Sequence, residues 1–295
     1  AFSGYGFNQG HATAYADVSY RSAYLKTHFP AAFFWARLRN RGGYHHPAVY
    51  MAEALRVGID VRPPHVNESE ARVRLAWEGE QPVLWLGLGC VRDLRRRAVA
   101  ALVRARQADG AFGGLRELLM RVPLQDKEVV HLIQGGALDG LGGSRPALLA
   151  DAEVIRRAGT ARQLPLDLGA VAGAAAPASL QQRWAWEQHL LGYPLGALRA
   201  WLPELAARCE GCVPLEAVAA SERGGRARVL GVRLPGWHRG GFAFWDGART
   251  WVWAEPADDR QRPPTWEPVA VMGQWRRDRW GMGLLVVNAF TRLSG

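Results

Sequence analysis

The chain changes character at residue 213, and this change constrains the fold more than any other feature of the sequence. Before residue 213 the apolar residues recur mainly at helical spacing, whereas after it short β-rich runs are separated by Gly, Pro and Asp. The predicted strands are 226–234, 241–245, 250–254, 269–275 and 284–289. Five short strands in a segment of about 80 residues predict a small closed barrel.

The first 212 residues are predicted to be mainly helical. Tyr15, Val18 and Leu25 share one helical face, and Pro30 and Pro47 begin the next two helices. Further along we expect a β-hairpin over 71–87, helices within 96–158, a low-complexity linker over 169–179, and helices around 180–191 and 197–208. The predicted fold class is therefore α+β, with several domains.

The composition is that of a globular protein with an excess of positive charge. The net charge is +10, and nearly all of the basic residues are Arg. Arg binds phosphate through a planar fork of donors, which points to a polyanionic partner, but the Arg codons of a GC-rich genome explain the excess equally well. The sequence has no signal peptide and no apolar run of about 18 residues, so we expect a cytoplasmic protein without membrane contact.

Two short motifs resemble parts of metal sites, and we expect neither to bind a metal. Cys209 and Cys212 have the spacing of half a zinc site, but no second pair of ligands follows, and His45-His46 has no third ligand nearby. Three cysteines also do not make a disulfide framework. We therefore predict that this chain binds no cofactor.

A glycine-rich segment at the start of the chain is the most informative motif. Gly4 and Gly6 flank Tyr5, and Asn8 and His11 follow at the entry to a predicted helix. A helix N-terminus favours anions, a ring stacks on a base or sugar, and a His can contact phosphate, so this segment suits a nucleotide. A helix entry with a packed Tyr and a capping Asn is the structural alternative.

The same segment resembles the fingers of the bacterial C-family DNA polymerases, which comprise polymerase III alpha subunits and their error-prone relatives. The matching positions are Phe2, Gly4, Tyr5, Gly6, Phe7, Asn8, His11, Tyr15, Leu25, Lys26, His28 and Pro30. The resemblance implies that Tyr5 and His11 lie against the incoming deoxynucleoside triphosphate and that Asn8 supports them. We also count Lys26 among the DNA-binding residues.

Three later stretches are also similar to the family. Residues 58–69 follow its Pro-Pro-Asp-(Ile/Val)-Asn-x-Ser pattern with His65 in place of the acid. Residues 86–89 and 135–142 look like the two landmarks of its tandem helix-hairpin-helix region, which binds the DNA backbone through hairpin amides. In the first hairpin, Asp93-Leu94-Arg95 stands where a Gly-apolar-Gly turn is usual. The candidates for phosphate contact by charge at this hairpin are Arg95, Arg96 and Arg97, unless the hairpin is degenerate and the run is simply solvated.

Residues 163–168 look like the peptide through which the family binds its sliding clamp, although an ordinary linker is the alternative. The candidate clamp-binding residues are Gln163, Leu164, Leu166 and Leu168. The barrel that follows is expected to be of the oligonucleotide/oligosaccharide-binding (OB) type. Its aromatic rings with interleaved Arg suit single-stranded DNA, although about half of such rings should fill the core. We assign to DNA binding Arg228, Arg239, Phe242, Phe244 and Trp251.

No Asp-x-Asp pair, which would hold two metal ions for nucleotidyl transfer, occurs in the sequence. The resemblance puts the catalytic aspartates and their Mg²⁺ in a palm upstream, so we interpret the chain as a C-terminal portion of a DNA polymerase. It is expected to be inactive alone and to act in DNA replication or repair with a palm- and thumb-containing portion. A stand-alone DNA-binding module derived from such a polymerase, or an unrelated scaffold, are the alternatives.

The predicted domains are the end of the fingers over 1–70, a tandem helix-hairpin-helix module over 71–160, a linker with the clamp-binding peptide and connecting helices over 161–212, and an OB-type nucleic-acid-binding barrel over 213–295. The helical fingers and helix-hairpin-helix modules thus precede a small OB-type β-barrel. The predicted partners are duplex and single-stranded DNA, the incoming nucleotide, the clamp and the rest of the polymerase.

Overall fold

A computed structural model of the chain describes residues 8–157, 175–236, 240–278 and 281–293. It begins with three helices, α1 (Gln9–His28), α2 (Pro30–Asn40) and α3 (Pro47–Arg56). Pro30 and Pro47 each occupy the first turn of a helix, where the missing N–H is not needed. Helix α1 has no buried residue, whereas α2 and α3 are anchored in the core through residues such as Phe34 and Leu55.

A small sheet follows the three helices. Its strands are β1 (Asp60–Arg62), β2 (Arg74–Glu78) and β3 (Gln81–Trp85), in the order β1-β3-β2. The predicted hairpin is confirmed as β2 and β3, which pair antiparallel, whereas β1, parallel to β3, was not predicted. Strand β1 has only three residues, which is too short for an alternating pattern to be recognised in the sequence. Only its pairing with β3 defines it as a strand.

The helical region consists of α4 (Arg96–Asp109), α5 (Leu115–Arg121), α6 (Asp126–Gln134) and α7 (Arg145–Arg157), as the helical prediction over 96–158 anticipated. These helices enclose their own core, and its fully buried side chains include Leu102, Phe112, Leu118, Leu132 and Ile133. Two connecting helices, α8 (Leu180–Leu191) and α9 (Leu195–Arg208), lead to the short α10 (Leu215–Ala220).

The C-terminal strands close into a barrel, as predicted. They are β4 (Gly225–Arg233), β5 (Phe242–Trp245), β6 (Trp251–Pro256), β7 (Pro268–Arg277) and β8 (Gly283–Arg292). Their order around the barrel is β4-β5-β6-β8-β7, and β8 runs parallel to β6 and antiparallel to β7. A five-stranded closed barrel of this kind is consistent with the OB type.

The outside of the barrel is also part of a core. Ala243 and Trp245 alternate with Phe242 and Phe244 along β5, so that Phe242 and Phe244 point into the barrel while Ala243 and Trp245 point outward. Trp245 packs in a cluster with residues of α2, α3 and α9, among them Trp201. Barrel, connecting helices and N-terminal helices therefore share one hydrophobic cluster.

One disulfide joins two cysteines that are three residues apart in the sequence. Cys209 and Cys212, at the end of α9, are bonded with their Cα atoms 5.5 Å apart. In the described ranges, no group of three or more His, Cys, Asp or Glu side chains is arranged to hold a metal ion. None of the helices in those ranges has the length and apolar content that crossing a bilayer requires.

Candidate nucleic-acid interface

The turn between α6 and α7 has the form of a helix-hairpin-helix hairpin. Gly140 and Gly142 adopt φ values of 89° and 131°, which favour glycine, and the Leu141 N–H donates to the Leu138 carbonyl at 3.0 Å. The exposed Gly142 and Gly143 N–H groups donate to no residue that the structure describes. They lie just before the N-terminus of α7, where backbone dipoles favour an anion. This hairpin therefore presents free donors to a phosphate.

The hairpin before α4 forms the same turn as the second hairpin without its glycines. Asp93, where glycine is usual, has φ 59°, and the Leu94 N–H donates to the Val91 carbonyl at 3.3 Å. Asp tolerates this left-handed conformation better than most residues do. Its carboxylate lies 2.7 Å from the Lys127 ammonium. The first hairpin thus carries a carboxylate, paired with Lys127, at the position that Gly140 occupies in the second hairpin.

Glu128 accepts from one backbone N–H of this first hairpin, that of Arg95, and from the Arg95 side chain. It accepts from the Arg95 backbone N–H at 3.1 Å and from the Arg95 guanidinium at 2.6 Å through each carboxylate oxygen. The hydrogen bonds from Arg95 oppose the effect of burial and lower the pKa of Glu128 to about 2. Arg95 is thus paired internally, and its role in DNA binding stays a prediction, whereas Arg96 and Arg97 are exposed.

The Pro-Pro-His-Val-Asn-Glu-Ser stretch joins the second hairpin to the connection between α4 and α5. His65 accepts from the Asn67 N–H at 3.2 Å through Nδ1, so its Nε2 carries the proton and donates to the Asp139 carbonyl at 3.1 Å. Burial lowers the pKa of His65, which favours this neutral form. The Asn67 amide pairs with both the N–H and the carbonyl of Phe112, at 2.8 Å and 2.9 Å. His65 therefore caps its own turn and also contacts the second hairpin.

Helix α1 presents an exposed aromatic surface at the start of the described chain. The Asn8 side chain accepts from the His11 N–H at 3.1 Å, which confirms Asn8 as the cap. The His11 and Tyr15 rings lie 4.4 Å apart, and Tyr15 is 63% exposed. Tyr5 lies outside the described residues, so its predicted role stays a prediction. His11 is accessible to a ligand in this arrangement.

Two residues predicted to bind DNA instead meet at Glu53, a residue that sequence reasoning missed. The Lys26 ammonium lies 2.6 Å from Glu53, and the Trp251 indole N–H donates to Glu53 at 2.9 Å. Arg56 donates through two nitrogens at 2.6 Å. Burial alone would raise the pKa of Glu53, but these three donors lower it to about 2. Lys26 and Trp251 thus join α1, α3 and the barrel through Glu53, and their role in DNA binding stays a prediction.

The barrel aromatics largely serve the core. Phe242 and Phe244 are 1% and 0% exposed, and a ring without exposed surface cannot stack on a base, so their predicted role is corrected. Arg228 donates to the Glu210 carbonyl at 3.1 Å on the surface. Arg239 lies outside the described residues, as do the clamp-binding candidates Gln163, Leu164, Leu166 and Leu168.

The comparisons with known proteins agree with the helix-hairpin-helix geometry. A family model described as "Helix-hairpin-helix motif" matches residues 58–148. Similar proteins include the DNA polymerase III subunit alpha of Haemophilus influenzae, 37% identical over 161 residues, which are 53% of this chain and 14% of that relative. The enzyme of the same name from Thermus aquaticus is also 37% identical over 161 residues, 53% of this chain and 13% of the relative.

An error-prone polymerase also matches. The "Error-prone DNA polymerase" of Alkalilimnicola ehrlichii is 38% identical over 148 residues, which are 50% of this chain and 14% of that relative. The matched part is thus about one seventh of the relatives' length. Over about half of its own length, the chain is homologous to part of the C-family DNA polymerases, the group to which its motifs pointed.

Proposed function

We propose that this chain is a DNA-holding, non-catalytic portion of a C-family DNA polymerase. The observation that carries the proposal is the second hairpin, where the N–H groups of Gly142 and Gly143 are free within the helix-hairpin-helix match. Hairpin amides bind phosphate without reading base sequence, so this portion would hold duplex DNA in any sequence context. Catalysis would require the Mg²⁺-binding aspartates of another portion of the polymerase.

Arg96 and Arg97 extend this surface by charge. Both lie in the first turn of α4 and are exposed, while Arg95 beside them is neutralised by Glu128. Long-range attraction from these guanidinium groups complements the directional amides of the second hairpin. The first hairpin would therefore contribute mainly electrostatics, and the second hairpin the directional hydrogen bonds.

The experiment is a titration of the 295-residue chain with a short duplex at several salt concentrations. Because each phosphate that is bound releases counterions, the logarithm of affinity should fall linearly with the logarithm of salt concentration. The double variant Arg96→Ala/Arg97→Ala should bind more weakly and reduce the slope by about 2, one for each phosphate that the variant no longer neutralises. Scrambling the duplex sequence should change little.

A matched control comes from α7. Arg156 and Arg157 both pair with Glu153, at 2.6 Å and 2.9 Å, so Arg156→Ala/Arg157→Ala removes the same charge from groups that already have a partner. This control should change the slope much less. A slope that is flat for the parent chain, or that changes equally in both double variants, contradicts the proposed surface.

Two further contacts belong to the same proposal. Tyr5 and His11, with Asn8 as the cap, would contact the incoming nucleotide, and residues 163–168 would bind a sliding clamp. The support is the match of these residues to the polymerase motifs, together with the cap and the exposed His11 ring.

A further inference from the structure

A cavity of about 690 Å³ lies between the end of α2, the segment before β2, and the start of α4. Its walls include residues 38–41, 71–73, 86–87 and 89–90, and Tyr193 lines it as well. This volume is in the range of small-molecule sites in proteins, about 300–1,000 Å³. Neither His11 nor the second hairpin lines it, and of the residues assigned to the DNA surface only Arg96 does, so the proposed function leaves the rest of the cavity unexplained.

The charged residues that line the cavity are all arginines: Arg39, Arg41, Arg72 and Arg96. Arg39 is held by the Val73 carbonyl at 3.1 Å and by Glu70 at 3.4 Å. The side chains of the other three make no hydrogen bond or ion pair with any residue in the described ranges. Like charges gathered at one cavity repel each other, and a bound anion offsets that repulsion.

Backbone geometry brings Arg41 and Arg72 to the rim. Arg41 has φ 49° at the end of α2, the left-handed position that usually carries glycine. Arg72 is held close to the β3 exit, where a Cβ at Gly87 would lie 2.6 Å from the Arg72 Cα atom, so only glycine fits. The Gly89 N–H also donates to the Ala71 carbonyl at 3.0 Å. Both guanidinium groups therefore originate from fixed points of the backbone.

The floor of the cavity is apolar and uncharged. Leu38, Met51, Leu86 and Val99 form its base and are each at most 5% exposed, so the apolar surface that a ligand can reach comes mainly from the half-buried Pro47, Leu94 and Tyr193. Burial raises the pKa of the Cys90 thiol to about 12, so it stays neutral near pH 7 and does not compete with an anion. An apolar floor beneath a cationic rim matches a ligand that has a flat ring at one end and phosphates at the other.

We propose that this cavity binds a free mononucleotide with two or more phosphates. The base lies over the apolar floor, and the phosphates bind Arg41, Arg72 and Arg96. A DNA duplex offers the same phosphates to the rim, but its bases are stacked and paired and do not enter a recess, so the floor favours the free nucleotide. The site goes beyond the proposed function and is separate from the nucleotide contact of Tyr5 and His11.

The test is isothermal titration of the full 295-residue chain with ATP, adenosine and tripolyphosphate, without divalent cations. ATP should bind more tightly than adenosine or tripolyphosphate. Arg41→Gly and Arg72→Ala should each raise the dissociation constant for ATP about tenfold, the loss of about one charge-assisted hydrogen bond. Arg104→Ala is the matched control, because Arg104 is an exposed arginine of α4 that does not line the cavity. It should leave ATP binding unchanged.

Arg41→Gly separates binding from folding. Glycine is favoured at a left-handed φ, so this variant should melt at or above the temperature of the parent chain while it loses ATP affinity. The proposal is wrong if ATP does not bind, if Arg41→Gly and Arg72→Ala bind ATP like the parent, or if tripolyphosphate binds as tightly as ATP. It is also wrong if these two variants lose duplex affinity while ATP shows no binding, since the rim then serves DNA.

These outcomes are distinguishable from failure of the proposed function. Duplex binding that depends on Arg97 but not on Arg41 or Arg72 supports the DNA surface whatever ATP does. Conversely, ATP binding that depends on Arg41 and Arg72 supports the cavity even when the duplex does not bind.

Discussion

Glu53 decides how three parts of the molecule meet, because one nearly buried carboxylate accepts from Lys26, Arg56 and Trp251. Its pKa is about 2 in the folded chain against 4.5 for the ordinary side chain. A lowered pKa in the folded state stabilises the fold above the unfolded-state pKa, and this stability is lost as the pH falls from about 4.5 towards 2. The contribution is about 2 kcal/mol, less than the full shift because Lys26 and Arg56 are partly exposed and screened.

We therefore expect Glu53→Gln to lower the free energy of unfolding at pH 7 and to flatten its dependence on pH below about 4.5. Urea unfolding at a series of pH values measures both effects. Glu255→Gln, on β6, is the matched control and should keep the parent's pH profile, because the Glu255 side chain makes no hydrogen bond within the described ranges. An unaltered acid limb in Glu53→Gln would show that this carboxylate does not connect the parts.

The His11 ring is exposed, while the His11 backbone N–H is fixed by its hydrogen bond to Asn8. In the polymerase reconstituted with its palm and thumb, Tyr5→Ala and His11→Ala should raise the KM for nucleotide or lower incorporation, with DNA affinity near that of the parent. These residues position the nucleotide and hold no metal, so the loss should be graded. Melting temperature is the control, and normal incorporation by well-folded variants rules the assignment out.

For individual helices and strands, the sequence predicted those features that depend on a local residue pattern. Pro30 and Pro47 mark two helix starts, and the five β-rich runs coincide with β4 to β8 within a few residues. Alternation could not say that the outer face of β5 is covered, since Ala243 and Trp245 are buried by distant helices. Nor could it reveal Glu128 on Arg95, because the two residues meet only when α4 and α6 fold together.

The same limit applies to the hairpins. Gly140-Leu141-Gly142 is a local signal and its turn follows from it, whereas Asp93 concealed an equivalent turn, because a single residue in the left-handed region does not require glycine. The backbone of a helix-hairpin-helix element can therefore persist when its sequence signature is absent, while the free amides that bind phosphate do not necessarily persist with it.

The peptide at residues 163–168 is an element whose function is testable without its structure. Gln163 would dock its amide, and Leu166 an apolar side chain, into a groove of the sliding clamp. A pull-down of the clamp with the full chain should therefore succeed, and Gln163→Ala/Leu166→Ala should abolish it. Leu180→Ala, on α8, is a control outside the peptide. Equal capture by the double variant would favour an ordinary linker.

At the scale of the whole molecule, buried charges join the helix-hairpin-helix region to the connecting helices. Arg145 donates to Asp139 at 2.6 Å and to Glu187 at 2.9 Å, and Glu187 accepts from the Ala197 N–H at the start of α9 at 2.8 Å. Glu187 is 0% exposed, so its partners must compensate for its burial. The hairpin that presents Gly142 is thereby tied to α8 and α9, which in turn pack on the barrel.

This packing also decides where the barrel can meet single-stranded DNA. OB-type barrels bind strands on the face of their second and third strands and in adjoining loops, but here that face carries Trp245 and Trp251, which contact the rest of the chain. Near the end of β7, Arg276 is exposed. We infer that any single-stranded DNA is bound at this end of the barrel and not on the β5–β6 face.

Two substitutions distinguish binding of single-stranded DNA near the end of β7 from binding on the β5–β6 face. Trp251→Phe keeps an aromatic ring but removes the N–H that Glu53 accepts, so it should lower the melting temperature while leaving affinity for single-stranded DNA unchanged. Arg276→Ala removes an exposed charge, so it should weaken binding and reduce the salt slope by about 1 while leaving the melting temperature unchanged. Fluorescence anisotropy with a labelled oligonucleotide and thermal unfolding measure the two effects. The reverse pattern, with Trp251→Phe losing DNA while remaining fully stable, would return the single strand to the β5–β6 face.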